Sequence, residues 1–429
     1  MLHQACPPPR REFTSRGAQL AHPRLPWLQR SFNTAFRPFA TRLWPLDAER
    51  LKSGARAGTG LVDFGDEAPL DEPLAVLCES LNREIRLSPN GRFVLQSQLA
   101  GSLANRLRLM DLMARRPEVF QAPVVRPLFV AGIPRTGTTF VQKLLGQDPH
   151  WRTLPLWETR HPLPDGDPAV PPPDPDPRIA RSRKELRMVH RLLPEQAAMH
   201  ELVHDEPEEE YPLLAAGHCS SMYENAVLVP AYTRWFTGAD HRGGYRLFRR
   251  YLQFMQWSRP RGERWALKTP GHLEMLIPLL DTFEDATVVH THRDPVTSVV
   301  SLSNMLSYDA RTYFDHPDPH VIGRCAADFT ERLLRAALRD REAAGDRLVD
   351  VFFRELISDP VRELRRVYET ADRELDAGTE RAMRGFAESE GRRAGRHRYA
   401  AEDFALSVPE LRERFAFYYD FFDLAPEKP

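Results

Sequence analysis

The chain has 429 residues, of which 42% are hydrophobic and 28% are charged, a composition typical of a globular protein with a buried core. Its 59 basic and 60 acidic residues nearly cancel, so no overall charge favours nucleic acid, and any site for an anion must be local. No apolar run reaches the roughly 18 residues that a membrane span needs. The 4 cysteines form no cluster typical of zinc or of a disulfide framework, which favours a reducing, cytoplasmic compartment.

The first segment, residues 1–45, contains many arginines and prolines but a single acid, Glu12. An arginine-rich, acid-poor start is one feature of a transit peptide, whereas the prolines disrupt the amphipathic helix that such a peptide needs. We therefore predict that residues 1–45 form a disordered basic arm.

The pattern of apolar residues predicts helices first and alternating strands and helices later. Apolar residues between 75 and 115 recur at three- and four-residue steps, which predicts helices. The predicted strands are 124–131, 264–268, 286–291 and 347–353. A proline-rich loop is predicted over 162–177, and helices about 178–194, 207–217 and 244–257 should follow it. Apolar strands separated by helices predict an α/β fold with a parallel sheet that is covered by helices on both faces.

The predicted elements also suggest how the chain is organised. We predict a single α/β domain over 46–429, with a helical lead over 46–120, a core over 121–429 and a helical insertion at about 160–262. Ligands of parallel sheets bind beyond the carboxyl ends of the strands. The strand ends that carry polar residues are Gly132–Thr139, Lys268–Pro270 and His290–Asp294. The site should therefore lie where these three segments meet.

The segment from Gly132 to Thr139 follows a predicted strand and opens a helix. Gly132 and Gly137 have the GxxxxG spacing of a phosphate-binding loop, in which backbone N–H groups and a helix N-terminus bind the anion. Thr138 stands where nucleotide triphosphatases have the lysine that neutralises a polyphosphate. Arg135 inside the loop and the hydroxyls after it suit a smaller anion, held without metal. A plain strand–turn–helix connection with a threonine cap is the alternative.

Two elements of the sequence resemble a known family. Pro134–Thr139 resembles the 5′-phosphosulfate loop of sulfotransferases, in which a basic residue, a small hydroxyl residue, glycine and two threonines follow one another. The family's second element is a strand that ends in arginine with serine eight residues later, and Arg293 and Ser301 have this spacing. The likeness extends from residues 61–65 to residues 397–404. The chain is therefore similar to bacterial-type sulfotransferases and, more distantly, to tyrosylprotein sulfotransferases.

The resemblance implies the fold and the donor. It implies a P-loop-like parallel sheet with 3′-phosphoadenosine-5′-phosphosulfate (PAPS) as the sulfuryl donor and no metal ion, so that the core over 121–429 binds the nucleotide. The residues implied to bind the 5′-phosphosulfate are Arg135, Thr136, Gly137, Thr138 and Thr139. Arg293 and Ser301 are implied to bind the 3′-phosphate, and a basic residue of the segment 392–399 is expected to close over it. Asp294 and Pro295 form a helix start that fixes Arg293, whose planar guanidinium suits a phosphate dianion.

Sulfuryl transfer resembles phosphoryl transfer, so a proton acceptor and a cation are needed near the reacting atoms. The Glu-Thr-Arg string at Glu158 is similar to the tyrosylprotein sulfotransferase segment that carries the base, so Glu158 is the predicted base. Because cytosolic sulfotransferases use a histidine, His200 and His204 are the alternatives. The resemblance assigns Lys268, together with Arg135, to the transferring group. The acidic run 205–210 is interpreted as the acid-rich first turn of a helix.

Two other functions stay open at this point. A phosphate-loop kinase or nucleotide hydrolase would need ATP and Mg²⁺, and the absence of lysine after Gly137 disfavours it. A non-catalytic nucleotide-binding protein could keep the fold without turnover. For a sulfotransferase, we expect a hydroxyl or amine acceptor on a small molecule, a carbohydrate or a peptide.

Overall fold

The structure is a computed structural model that describes residues 13–14, 17–170, 172–193, 202–393, 397–398 and 400–427. Its strands are β1 Phe13–Thr14, β2 Leu128–Gly132, β3 Trp151–Arg152, β4 Arg264–Lys268, β5 Thr287–His292, β6 Leu348–Phe352 and β7 His397–Arg398. Its helices before β2 are α1 Gly17–Ala21, α2 Trp27–Phe36, α3 Ala40–Leu43, α4 Ala48–Thr59, α5 Asp71–Arg83 and α6 Pro89–Arg115.

The helices after β2 alternate with the strands and fill the segment between β3 and β4. Up to β4 they are α7 Thr138–Leu145, α8 Leu156–Arg160, α9 Pro177–Leu192, α10 Tyr211–Ala215, α11 Met222–Val227, α12 Pro230–Gly238 and α13 Arg242–Ser258. Beyond β4 they are α14 Leu276–Thr282, α15 Pro295–Asp309, α16 Pro319–Asp340, α17 Phe353–Ser358, α18 Pro360–Thr370, α19 Ala377–Arg393, α20 Val408–Arg414 and α21 Ala416–Phe422. The helical lead and the helical insertions that the sequence predicts are therefore present.

A five-stranded parallel sheet in the order β3-β4-β2-β5-β6 forms the centre of the fold. Every residue of β2 and β5 is buried, as expected of strands that are covered by helices on both faces. The register pairs Val130 with Lys268 and Gly132 with Thr291. The carboxyl ends of β2, β4 and β5 therefore lie side by side, and the prediction of a P-loop-like parallel sheet is confirmed.

The structure differs from the sequence prediction near the N-terminus, where a disordered arm is predicted over 1–45. The described part of this range contains α1, α2 and α3. Leu20 is fully buried, and the Gln29 side chain donates a hydrogen bond of 2.7 Å to the backbone carbonyl of Arg311. Contacts with residues far along the chain hold these helices in place. A prediction from local composition cannot take such contacts into account.

The acidic run 205–210 also differs from its interpretation as the first turn of a helix. Helix α10 begins at Tyr211, after the run, and has no acid in its first turn. Residues of the run extend alongside the segment before α8 instead. Pro155 and Pro207 form an antiparallel bridge, and the Glu208 backbone N–H donates a hydrogen bond of 2.8 Å to the Leu154 backbone carbonyl. Two carboxylates of the run, Glu209 and Glu210, thereby reach Lys268 at the carboxyl end of β4.

None of the described helices combines the length and the apolar character that would let it cross a membrane.

Candidate active site

A cavity of about 1250 Å³ opens at the carboxyl edge of the sheet. Its wall includes the phosphate loop after β2, Glu209 beside β4, Pro270 after β4 and Arg293 after β5. Helices α6, α9 and α15 supply further parts of the wall, much of them apolar. The sequence argument placed the site at these strand ends, and the cavity lies there.

The phosphate loop connects β2 to α7 through two residues with left-handed backbone. Arg135 has φ of 73° and Gly137 has φ of 92°. Turns of this kind direct successive backbone N–H groups toward one point, and the N-terminus of α7 adds its own free N–H groups. A left-handed arginine is strained by about 1–2 kcal/mol, and such strain is commonly retained at functional sites. This backbone geometry is one that can bind an anion.

The threonines of the loop divide into two roles. Thr138 and Thr139 open α7 and line the cavity. Thr136 is fully buried, and its hydroxyl lies 2.7 Å from the Ile133 carbonyl and 2.6 Å from the Thr291 hydroxyl. Its side chain therefore ties the loop to β5.

The two hydroxyls also lie close to residue 132, which explains why this residue is glycine and leads to a prediction about stability. A Cβ atom at Gly132 would lie 2.0 Å from Thr291 Oγ1 and 2.8 Å from Thr136 Oγ1. Gly132→Ala should therefore lower the free energy of unfolding by about 1–3 kcal/mol through overpacking. Gly54→Ala in α4 is the matched control, because a Cβ there meets nothing within 4 Å, and it should stabilise by about 0.4–1 kcal/mol. Urea unfolding of both variants checks this, and equal stabilities would contradict it.

Three residues that are distant in sequence meet at the phosphate loop. The Arg135 Nε donates a hydrogen bond of 3.1 Å to Ser301 Oγ on α15, and Arg293 NH1 donates one of 3.0 Å to the Arg135 carbonyl. Asp294 caps α15 by accepting from the backbone N–H groups of Val296 and Thr297, as the sequence predicts. Arg293 is thus fixed between the loop and the helix start. The structure brings Arg135, Ser301 and Arg293 together.

The C-terminal segment supplies an unexpected partner to Arg293. The Glu427 carboxylate accepts from Arg293 Nε at 3.1 Å and from NH2 at 2.8 Å, a bidentate pair. The same guanidinium lies 4.1 Å from the ring centre of Phe353. A bidentate carboxylate uses the same edge of arginine that a phosphate would use. The sequence analysis did not identify Glu427, because nothing in the sequence around this residue indicates a contact with Arg293.

Lys268 ends β4 and lies within a network of carboxylates. Its side chain is 1% exposed, and its ammonium donates to Glu209 Oε1 at 2.5 Å. Its backbone N–H donates to Glu210, whose other oxygen lies 2.6 Å from His272 Nε2. His272 Nδ1 in turn lies 2.7 Å from the Tyr245 hydroxyl. This network positions Lys268 behind Glu209, which lines the cavity.

Glu158, the predicted base, lies on α8 with its carboxylate turned toward Arg152. The two side chains are 6% and 4% exposed, and Arg152 NH2 lies 3.5 Å from Glu158 Oε1. Burial lowers the pKa of Arg152 to about 10, although Glu158 opposes the shift. Among the described residues that line the cavity are Leu156 and Thr159 but not Glu158. The base role of Glu158 stays a prediction.

The remaining predicted residues lie outside the cavity wall or outside the described chain. Nε2 of His204 accepts a hydrogen bond of 2.8 Å from Arg183 Nε. His200 lies outside the described residues, and so do the side chains of the basic segment 392–399.

Within the described chain, one group of side chains could hold a metal ion: His290, His292 and Asp350, with ligand atoms within 4.8 Å of one another. Asp350 accepts from His292 Nε2 and from Arg341, each at 2.8 Å, and the Tyr418 hydroxyl lies 2.6 Å from His292 Nδ1. Burial lowers the pKa of both histidines and favours their neutral forms. These bonds tie β5 and β6 to α21.

The parallel sheet and the phosphate loop without its lysine define a P-loop-like fold whose site suits a small anion. A scan against protein families matches residues 127–377, more than half of the chain, to the sulfotransferase family. The chain belongs to this family, and the family and the fold together support sulfuryl transfer.

Solved structures agree with this assignment. The chain is similar to sulfotransferase STF9 from Mycobacterium avium, with 29% identity, a TM-score of 0.75, and coverage of 89% of this chain and 98% of that chain. It is also similar to sulfotransferase STF1 from Mycobacterium tuberculosis H37Rv, with 28% identity, a TM-score of 0.74, and coverage of 86% and 98%. No curated protein matches the sequence. The predicted likeness to bacterial-type sulfotransferases is confirmed.

Proposed function

We propose that the chain is a PAPS-dependent sulfotransferase that transfers the sulfuryl group to a hydroxyl or amine of a small-molecule, carbohydrate or peptide acceptor. The observation that carries this proposal is the meeting of Arg135, Ser301 and Arg293 beside the phosphate loop. The loop and the Arg293 region could hold two separate anions, and PAPS carries two, the 5′-phosphosulfate and the 3′-phosphate.

In this proposal the donor lies across the loop and the start of α15. Backbone N–H groups from Thr136 to Thr139 hold the 5′-phosphosulfate, and the hydroxyls of Thr138 and Thr139 face it from the cavity wall. Arg293 and Ser301 hold the 3′-phosphate, for which Arg293 must exchange the Glu427 carboxylate.

The same proposal assigns the charge stabilisation to Arg135 and Lys268. Transfer spreads negative charge over the sulfuryl oxygens and the bridging oxygen, and fixed cations stabilise that charge. Arg135 lines the cavity. The Lys268 ammonium can stabilise the transferring group when it exchanges its Glu209 partner for the sulfuryl oxygens during transfer.

The compartment is part of the proposal. Cys78, Cys219 and Cys325 are free thiols in the described chain, which supports a reducing, cytoplasmic location.

The proposal predicts a ligand response that separates it from a kinase or hydrolase. Adenosine 3′,5′-bisphosphate, the product of the donor, should raise the melting temperature without any divalent metal. Saturating ligand should add about 2–4 kcal/mol to the free energy of unfolding, since a ligand that binds the folded state stabilises it. ATP should stabilise far less, because it lacks the 3′-phosphate. Differential scanning fluorimetry with and without EDTA measures this.

A strict Mg²⁺ requirement, or equal stabilisation by ATP, would contradict the sulfotransferase proposal. A strong response to the bisphosphate without transfer of label from PAPS to any component of a metabolite extract would favour the non-catalytic alternative. Transfer of the label would identify the acceptor.

A further inference from the structure

The acidic run 205–210 places several carboxylates at the carboxyl end of β4, and they differ in what they contact. Glu206 lines the cavity and forms an ion pair with Lys143 on α7. Glu210 is fully buried and bonds to His272 and to the Lys268 backbone. Glu208 lines the cavity, and its Oε1 accepts from the Glu209 backbone N–H at 2.9 Å.

Glu209 combines three properties that a proton acceptor for the proposed reaction needs. It lines the cavity into which the phosphate loop opens. Its side chain is 22% exposed, so that a bound acceptor can reach the carboxylate. The Lys268 ammonium, 2.5 Å away and almost fully buried, orients it from behind. A general base must lie within hydrogen-bond reach of the proton that it removes, so the position of the carboxylate is the first requirement.

We propose that Glu209 is the general base of the transfer, an inference that rests on the proposed function. As the acceptor oxygen attacks the sulfur of PAPS, the Glu209 carboxylate takes the hydroxyl proton. The new bond joins the acceptor oxygen to sulfur, and the bond between sulfur and the bridging oxygen breaks. The electron pair leaves with that oxygen on the 5′-phosphate, so that adenosine 3′,5′-bisphosphate departs. Protonated Glu209 then returns its proton to water.

Glu158 does not share these properties in this structure. Its carboxylate is buried against Arg152, and a move into the cavity would leave the Arg152 charge buried without its counter-ion. Protonation of Glu209, in contrast, does not leave the Lys268 charge without a partner. As the proton moves onto Glu209, the ammonium exchanges that carboxylate for the sulfuryl oxygens, because protonation removes the charge that it pairs with.

The test compares Glu209→Gln with Glu158→Gln and Glu208→Gln, each an isosteric loss of one carboxylate. Labelled PAPS is supplied with phenol or with 4-nitrophenol, at a pH where phenol keeps its proton and 4-nitrophenol is ionised. Glu209→Gln should lower turnover on phenol about 10²–10⁴-fold, because general base catalysis is lost. On 4-nitrophenolate, which has no proton to remove, the loss should be smaller by at least about tenfold. Binding of adenosine 3′,5′-bisphosphate should stay intact.

Equal losses on the two phenols would overturn the proposal, since a structural defect does not distinguish them. Retained turnover in Glu209→Gln would overturn it too, as would the proton-selective loss in Glu158→Gln or Glu208→Gln. If the wild type sulfates neither phenol, the slow release of labelled sulfate to water is measured instead, because water must also lose a proton. Glu209→Gln alone should then slow that release. A wild type that neither binds the bisphosphate nor consumes PAPS refutes the proposed function itself, a result distinct from these.

Discussion

Arg293→Ala should lower the affinity for adenosine 3′,5′-bisphosphate about ten- to hundredfold, because it removes charge-assisted hydrogen bonds worth about 1.5–3 kcal/mol. The guanidinium is fixed by the Arg135 carbonyl and by the ring of Phe353, so its position is set before the ligand arrives. Titration calorimetry at constant ionic strength measures the change. Ser301→Ala should weaken binding less, because it removes one neutral hydroxyl.

Glu427→Gln is the matched comparison and should act in the opposite direction. Its carboxylate occupies the Nε and NH2 edge of Arg293, and a phosphate must displace it. The glutamine keeps the shape of the side chain but no longer competes as an anion, so the bisphosphate should bind more tightly. In the Arg293→Ala background the same change should have little effect, since the two residues share one interaction.

Unchanged affinity in Arg293→Ala would show that the 3′-phosphate binds elsewhere. Weaker binding in Glu427→Gln would show that the Glu427 carboxylate orients Arg293 for the ligand rather than competing with it.

The central sheet could be predicted because its signals are local. Strand β4 follows from the apolar run that the structure places at Arg264–Lys268, and α15 begins at Pro295 because Asp294 caps it. The edge strand β3 is two residues long, too short for any alternating pattern. Long-range contacts with residues such as Arg311 hold the helices near the N-terminus, so composition alone gave the wrong expectation there.

The location of the candidate site at the strand ends could be predicted from the sequence, but the contacts of its residues could not. The spacing of Arg293 and Ser301 could be read from the sequence, and both meet Arg135. The run around Glu209 was visible too, yet its partner Lys268 lies 59 positions away, and a charge run alone does not say which carboxylate reaches a cavity. Glu158 illustrates the opposite case. The motif singles out this residue, which lies on α8, but does not predict the direction in which its side chain points.

Glu158→Gln should lower the free energy of unfolding by about 3–5 kcal/mol, because it leaves the buried Arg152 charge without its counter-ion. Arg152 is 4% exposed and lies 4.1 Å from the ring centre of Trp265, so it has no ready route to water. In the described structure its NH1 already lacks a hydrogen-bond partner. Urea unfolding measures the loss.

The double variant Arg152→Met, Glu158→Gln is the control, since it removes both charges. It should recover much of the lost stability, because an uncharged pair of similar volume avoids the cost of burying an ion. If Glu158→Gln instead keeps its stability and loses turnover on phenol selectively, the Glu158 carboxylate leaves Arg152 during the reaction. The base would then be Glu158, as the sequence predicts, and Glu209 would serve to orient Lys268.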